Sequence, residues 1–224
     1  MTKKSLHTIT CSACKKTYKK EAEDLLNEDS LEFVMSWEVF KQTCPHCKED
    51  FLYKHPVIYR DKEKKFVVCY APDPVSFVKM IDMCAREQLS DDETIYRVVP
   101  ASSVRFIEKV GLLTLGYDDV VMEVYKEVLY ENIDSDDVHD ILVETDDECT
   151  RCGIIVDFGG DNVKCYQIDD GIFNNLTMDV KNRNMLGRPN DYVVNRELAL
   201  KIMHNKLDLE PLHIAMLKEI EEHE

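Results

Sequence analysis

Hydrophobic and polar positions divide the chain into a strand-like front and a helical back. Aromatic and β-branched residues with partial alternation, a pattern typical of short strands, occupy residues 6–11, 31–43, 51–60 and 65–71. Pro56 interrupts the third run and indicates an edge strand or a bulge there, because proline cannot donate a ladder hydrogen bond. We therefore expect the first third of the chain to form a small antiparallel sheet.

Helical spacing begins after residue 73. The segment 74–88 repeats apolar residues at helical intervals and starts with a proline, which a first helical turn tolerates. A strand at 94–100 and a helix over about 102–115 are expected next. Asp118 then offers a cap for a third helix.

That third helix carries a long apolar stripe. Its members follow the i, i+3, i+4, i+7 spacing: Tyr117, Val120, Val121, Val124, Tyr125, Val128 and Leu129. We interpret the stripe as a face packed in a core, because surface helices commonly have such a face.

The acidic stretch 134–148 resembles a calcium loop in composition but not in pattern. His139 stands where an EF-hand loop requires glycine, and Thr145 stands where it requires glutamate. The sequence therefore excludes an EF-hand here. A solvated helix capped by Ser135 is the preferred interpretation.

A hairpin and two helices are expected in the last third. Residues 153–168 contain two strand-like runs around a Gly-Gly-Asp-Asn turn. The segments 195–207 and 211–222 have helical patterns, whereas the polar stretch 174–191 has no clear pattern.

The charge is distributed unevenly along the chain. The formal net charge of −16 consists of +2 in residues 1–70 and −18 in residues 71–224. Such a surface repels polyanions, which makes nucleic acid a less favoured partner, although four lysines cluster near the first cysteines: Lys15, Lys16, Lys19 and Lys20. No leader segment or membrane-spanning apolar stretch is recognised, so we expect a cytoplasmic protein with no membrane contact.

Six of the nine cysteines lie in three CxxC pairs. The first two pairs form nearly identical turns, "CSACKK" and "CPHCKE", and four thiolates complete the tetrahedral shell of a structural Zn²⁺ ion. The predicted metal ligands are Cys11, Cys14, Cys44 and Cys47, and the alternatives for these residues are a disulfide or free thiols. Because four cysteines leave no open coordination position, we expect the zinc to be structural and not catalytic.

The gap between the two pairs is 29 residues, which is longer than the ~15–20 of compact zinc ribbons. We therefore expect an insertion between them, and "KEAEDLLNEDS" (residues 20–30) is the candidate.

The third pair, Cys149 and Cys152, leaves three alternatives open: half of a second metal site, a redox pair or plain thiols. If residues 159–162 close the hairpin, Cys165 pairs opposite Val156. It would then lie about 13 Å from Cys152 along the strand, too far to share an ion.

The order of several segments resembles the bacterial CpXC domain family, which is named for its CPxC turns. The resemblance is carried by "HTITCSACKKTY", "FKQTCPHCKEDFLYKHPVIYRDKEKKFVVCYAP" and "YRVVPASSVRFIEKVGLLTLGYDDVVMEVYKE" and spans roughly residues 7–130. It implies a zinc-ribbon-like module without an assigned activity. Ser12 departs from the family pattern by replacing the proline that Pro45 retains.

These patterns together predict an α+β protein. We expect an N-terminal zinc-ribbon-like antiparallel sheet (1–72), a helical middle segment of the same module (73–148) and a C-terminal extension with a β-hairpin and helices (149–224). No known catalytic motif occurs, and no catalytic residue is assigned.

The expected function is that of a non-enzymatic zinc protein that contacts a protein partner. The alternatives are a zinc ribbon that binds nucleic acid and, more weakly, a redox sensor that uses Cys149 and Cys152. The sequence does not predict the oligomeric state.

Overall fold

A computed structural model describes residues 2–133, 138–146, 149–160, 162–182 and 191–204. The strands are β1 (Lys3–Thr10), β2 (Thr17–Asn27), β3 (Lys41–Thr43), β4 (Asp50–Leu52), β5 (Val57–Asp61), β6 (Phe66–Ala71), β7 (Ile95–Pro100), β8 (Asp140–Thr145), β9 (Cys152–Asp157) and β10 (Val163–Gln167). The helices are α1 (Leu31–Met35), α2 (Pro74–Gln88), α3 (Ser103–Thr114), α4 (Asp119–Asn132), α5 (Asp170–Asn182) and α6 (Arg196–His204). Among the helices that the structure describes, none has the length and hydropathy of a membrane-spanning segment. The α+β class is thus confirmed.

The chain forms two compact units, Met1–Val110 and Gly111–Glu224. The segments expected from the sequence, 1–72, 73–148 and 149–224, stay a prediction.

The first unit contains a five-stranded sheet with the order β1-β2-β5-β6-β7 and a separate β3-β4 hairpin. The sheet is mixed and not antiparallel throughout, because β5 runs parallel to β2 and β7 runs parallel to β6. Helix α2 connects β6 to β7, and a helical crossover of this kind is what a parallel pair requires. The expected antiparallel pairing holds for β1-β2, β3-β4 and β5-β6.

Helix α2 follows the predicted bounds closely. Asp73 caps it by accepting hydrogen bonds from the amides of Val75 and Ser76, and Ser76 completes a capping box. The helix presents Cys84 to Cys69 of β6 with a distance of 4.0 Å between the two Sγ atoms, and both side chains are buried.

Three predictions for the first unit are wrong. Residues 31–43 are not one strand, since they contain α1 and β3. Residues 20–27 are not an insertion, because they belong to the 11-residue strand β2, and only Glu28–Ser30 form a separate 3-10 turn. Pro56 marks neither an edge strand nor a bulge, because the predicted run 51–60 is not one strand: β4 ends at Leu52, β5 begins at Val57, and β5 lies between β2 and β6.

The second unit has a core around α4. Every residue from Asp119 to Tyr130 is buried, so the predicted stripe does pack in a core. Three buried charges on this helix have an ion-pair partner. Lys126 Nζ lies 2.7 Å from Glu123 Oε1. Arg196 of α6 donates two hydrogen bonds to Glu127 at 2.6 and 3.0 Å.

A three-stranded antiparallel sheet, β10-β9-β8, completes the second unit. The hairpin predicted at 153–168 is confirmed as β9-β10, although Cys165 pairs with Ile155 and not with Val156. The helix predicted over 134–148 is wrong, because residues 140–145 form β8. Burial there alternates with period two, which is the strand period. The proposed cap Ser135 lies outside the described residues.

The C-terminal helices are described in part. Helix α6 confirms the first of the two predicted helices, while 211–222 lies outside the described residues. Helix α5 was not predicted, although it includes part of the stretch without a clear pattern. Its apolar face was the available signal, and its buried members are Ile172, Phe173, Leu176 and Val180.

Candidate metal centre

The four predicted ligands lie in the turns of two hairpins. Cys11 and Cys14 occupy the turn between β1 and β2, and Cys44 and Cys47 occupy the turn between β3 and β4. We call these two hairpins, residues 3–27 and 41–52, the ribbon. A 3-10 turn and helix α1 lie between the two hairpins in the chain. Only tertiary folding therefore brings the two cysteine turns together.

The two turns have the same backbone geometry. Each is closed by two hydrogen bonds of 2.9–3.1 Å: Cys11 N–H to Lys16 O and Lys15 N–H to Cys11 O in the first turn, Cys44 N–H to Glu49 O and Lys48 N–H to Cys44 O in the second. The residue after each second cysteine has a left-handed backbone, with φ of 60° at Lys15 and 65° at Lys48. Glycine is the usual residue for such a conformation, so each lysine bears a steric cost.

The four sulfur atoms form one cluster. Cys11 Sγ lies 3.7 Å from Cys47 Sγ, and Cys14 Sγ lies 3.7 Å from Cys44 Sγ. All four sulfurs lie within 4.8 Å of one another. A tetrahedral ion with metal–sulfur bonds of about 2.3 Å separates its ligands by about 3.8 Å, so the donor set fits one metal ion.

Backbone amides point at the sulfurs from within the turns. Cys14 N–H donates to Cys11 Sγ at 3.5 Å, and His46 N–H donates to Cys44 Sγ at 3.4 Å. Amides in these positions stabilise thiolates and orient them toward a shared ion. Cys11 and Cys44 are fully buried, which limits access of water to that side of the cluster.

The thiols do not ionise equally. Desolvation opposes ionisation of Cys44, but hydrogen bonds from the backbone amides of Cys47 and His46 and from neighbouring thiols lower the pKa of Cys44 to about 6. At Cys47 the amide of Glu49 favours the thiolate, yet desolvation and the other three sulfurs raise the pKa of Cys47 to about 12. Several thiolates would therefore coexist here only beside a positive charge, which a metal ion would supply.

Tyr18 and His46 flank the cluster. Their rings meet edge to face with centroids 6.3 Å apart. Desolvation, and then the charges of the four cysteines, raise the pKa of Tyr18 above its usual value. The sequence analysis missed Tyr18, because its place beside the second turn depends on the approach of the two hairpins.

The third CxxC pair lies in the second unit, around the turn between β8 and β9. Asp146 holds this turn by accepting hydrogen bonds from the backbone of Thr150 and Arg151. In the described part of the chain, no group of three or more potential metal ligands includes Cys149 or Cys152. Cys165 is on the opposite face of the sheet from Cys152, because it pairs with the residue three positions further along β9.

The surroundings of Cys152 do not favour the ionised, reactive form of its thiol. Desolvation raises the pKa of the Cys152 thiol, and a hydrogen bond with Tyr117 offsets this in part. Reactive cysteines generally have a lowered pKa. The metal, redox and plain-thiol alternatives for Cys149 and Cys152 stay predictions, and the last agrees best with this environment.

A polar network on the ribbon escaped the sequence analysis because its members are far apart in the chain. His7 Nε2 lies 2.7 Å from Asp24 Oδ1 and 2.9 Å from Ser5 Oγ. A catalytic triad uses the two ring nitrogens for these two partners, whereas here one nitrogen serves both. Tyr53 Oη lies 3.3 Å from the other nitrogen, Nδ1. We assign this network a structural role.

His55 belongs to the same region. It is buried, and its two ring nitrogens lie 3.2 Å from Tyr53 O and 3.0 Å from Glu23 O. These backbone contacts stabilise the approach of β2 to the segment before β5, which agrees with a structural role for His55.

Comparison with known proteins identifies one family. The model of the family described as CpXC protein matches residues 9–126, which include both cysteine turns of the ribbon and slightly more than half of the chain. Comparison with curated proteins and with solved structures finds no match. The ordered cysteine turns, the helices that follow them and the extent of this match lead to one conclusion: the chain belongs to the CpXC family.

Proposed function

We propose that this protein binds one Zn²⁺ ion through Cys11, Cys14, Cys44 and Cys47 and that the ion has a structural role. The observation that carries the proposal is the spacing of the sulfurs, 3.7 Å in both pairs that link the two turns. Four thiolates in a tetrahedral shell favour zinc or iron among the common metals, and structural zinc is often held by four cysteines.

Elemental analysis of the purified protein tests the metal assignment. We expect one zinc per chain, and we expect Cys44→Ser to lose it. The matched control is Cys165→Ser, which removes an exposed cysteine of the second unit and should keep the zinc. Iron in place of zinc, or an unchanged zinc content in Cys44→Ser, would contradict the proposal.

The proposed role of the folded ribbon is contact with a protein partner, with no chemistry at the ion. Four protein ligands leave no coordination position for water or a substrate. Two apolar side chains of the ribbon, Leu6 and Leu52, are exposed, and this supports protein contact, since protein interfaces bury such groups. All nine cysteines are free of disulfide bonds, which supports a reducing compartment such as the cytoplasm.

Nucleic-acid binding is the second candidate, and one observation favours it. Lys15, Lys16, Lys19 and Lys20 are all exposed on the first hairpin of the ribbon. Fluorescence anisotropy with labelled duplex DNA and single-stranded RNA at low and high salt separates the two functions. Salt-dependent binding that Lys16→Glu and Lys20→Glu abolish would establish the second candidate, while no binding at low salt would support the first.

A further inference from the structure

Tyr18 has an unusual position for a surface strand residue. It pairs with Ile9 across β1-β2, and Ile9 is fully buried, so the Tyr18 side chain lies on the inner face of the hairpin. Its ring reaches His46, which stands between the two cysteines of the second turn. Tyr18 therefore spans from the first hairpin to the second one at the level of the sulfurs.

The hydroxyl of Tyr18 is buried and makes no hydrogen bond with any residue that the structure describes. A buried hydroxyl without a partner is unfavourable and calls for an explanation, and a site that binds an ion next to the group is one of them. The acceptors to consider are the sulfurs of the second turn, because the Tyr18 ring contacts His46, which stands between Cys44 and Cys47. Of these two sulfur-bearing residues Cys44 is buried, as the hydroxyl is, whereas Cys47 is exposed.

We propose that the Tyr18 hydroxyl donates a hydrogen bond to the thiolate of Cys44 when the four-cysteine site holds its metal ion. The inference rests on the proposed metal site and adds to it a residue that is not a ligand. Cys44 already accepts hydrogen bonds from the amides of His46 and Cys47, and a sulfur with a full negative charge has capacity for a further donor.

This hydrogen bond has a defined chemical consequence. It withdraws electron density from the sulfur and disfavours its protonation, which is the step that precedes loss of a ligand from the ion. It also makes the thiolate a weaker nucleophile. Tyr18 is therefore a positioning residue that slows metal release and protects Cys44 from alkylation.

The test compares Tyr18→Phe with the wild-type full chain, each loaded with zinc, in transfer of the metal to a colorimetric chelator. We expect Tyr18→Phe to release zinc about 10-fold faster, at the lower end of the effect known for residues that support metal ligands. The matched control is Tyr53→Phe, which removes a hydroxyl from the same unit that contacts His7 and not the sulfurs. It should release zinc at the wild-type rate.

A spectroscopic readout separates the hydrogen bond from a loosening of the fold. With Co²⁺ as the probe metal, the sulfur-to-metal charge-transfer band of Tyr18→Phe should move to longer wavelength, because the sulfur lone pair loses its stabilising donor. Tyr18→Leu, which also removes the ring next to His46, should release zinc at least as fast as Tyr18→Phe.

The outcomes distinguish this inference from the metal site on which it rests. If Tyr18→Phe matches the wild type in release rate and in band position, the inference is wrong and the metal site stands. If only Tyr18→Leu releases zinc faster, packing of the ring and not the hydroxyl is responsible, which also overturns the inference. If the wild type binds neither zinc nor Co²⁺, the proposed function itself fails.

Discussion

The ribbon and the α4 core are stabilised by different chemistry. The α4 core buries apolar side chains on all sides of one helix, and several of them are fully buried: Val121, Met122, Val124 and Val128. The second hairpin of the ribbon has strands of only three residues each, and Leu52 in it is exposed. The stabilisation from apolar burial is proportional to the apolar area removed from water, so the β3-β4 hairpin gains little stability from it.

This difference indicates what each region depends on. A buried helix contributes to stability through many small contacts, none of which is essential. The two turns of the ribbon meet in one cluster of four sulfurs. If this cluster holds the proposed zinc, the stability of the ribbon depends on a single ion. We therefore expect the two regions to respond to different perturbations.

Metal removal should have the largest effect. Binding of zinc by four thiolates contributes on the order of 10 kcal/mol to small modules that fold around it. We expect a strong chelator to increase the amide hydrogen exchange of residues 7–19 and 40–53, while the amides of residues 119–132 stay protected from exchange. Hydrogen exchange measured by mass spectrometry checks both regions in one sample.

The control for this experiment is re-addition of zinc, which should restore protection in the ribbon. Equal loss of protection in both regions would show that the α4 core also depends on the metal. Unchanged protection in the ribbon would show that its packing suffices without the ion.

A core substitution should give the reverse response. Leu129→Ala removes a buried side chain of α4, which is 1% exposed, and leaves a cavity. We expect the free energy of unfolding of the second unit to fall by about 2–5 kcal/mol with no change in zinc content. Urea denaturation followed by circular dichroism, together with elemental analysis, measures the two quantities.

Leu89→Ala is the matched control, because the same substitution is made at a side chain that is 90% exposed. It should change the free energy of unfolding by less than about 0.5 kcal/mol. A loss of zinc in Leu129→Ala would show that metal binding by the ribbon depends on the stability of the α4 core, which would contradict the proposed difference between the two regions.

The smallest expected effect comes from the turn of the second hairpin. Lys48 has a φ of 65°, and glycine adopts this conformation without a steric cost. Glycine removes the steric cost in the folded state but adds conformational freedom to the unfolded chain, which offsets part of the gain. The net effect of Lys48→Gly should be a stabilisation of the zinc-bound ribbon by about 0.5–1 kcal/mol. Thermal unfolding with zinc bound measures the change.

Lys54→Gly provides the control, since Lys54 is exposed and has no positive φ. It should destabilise the protein slightly, because glycine only adds freedom to the unfolded chain there. Equal shifts in both variants would show that the left-handed backbone at Lys48 bears no cost.

Local signals were sufficient where the determining contacts are close in sequence. The bounds of α2 followed from the helical spacing of its apolar residues and from Pro74, and the stripe on α4 followed from helical periodicity. The pair of CxxC turns indicated the four ligands because each turn contains its own sulfurs and amides.

Local signals failed where distant contacts decide the structure. Residues 20–27 have the acidic composition of an insertion, yet they belong to β2 because β1 pairs with this strand up to Leu25 and β5 pairs with Leu25–Asn27. Residues 140–145 form β8 for the same reason, since β9 pairs with them. An isolated segment does not contain this information.

The sequence by itself determined which side chains are able to hold a metal ion and where the regular helices α2 and α4 lie, because both depend on spacings of a few residues. The tertiary structure alone decided that the two cysteine turns meet, that the sheet is mixed and that Tyr18 lies beside the sulfurs. These features depend on the pairing of segments far apart in the chain, and the free energy of that pairing comes from contacts that exist only after folding.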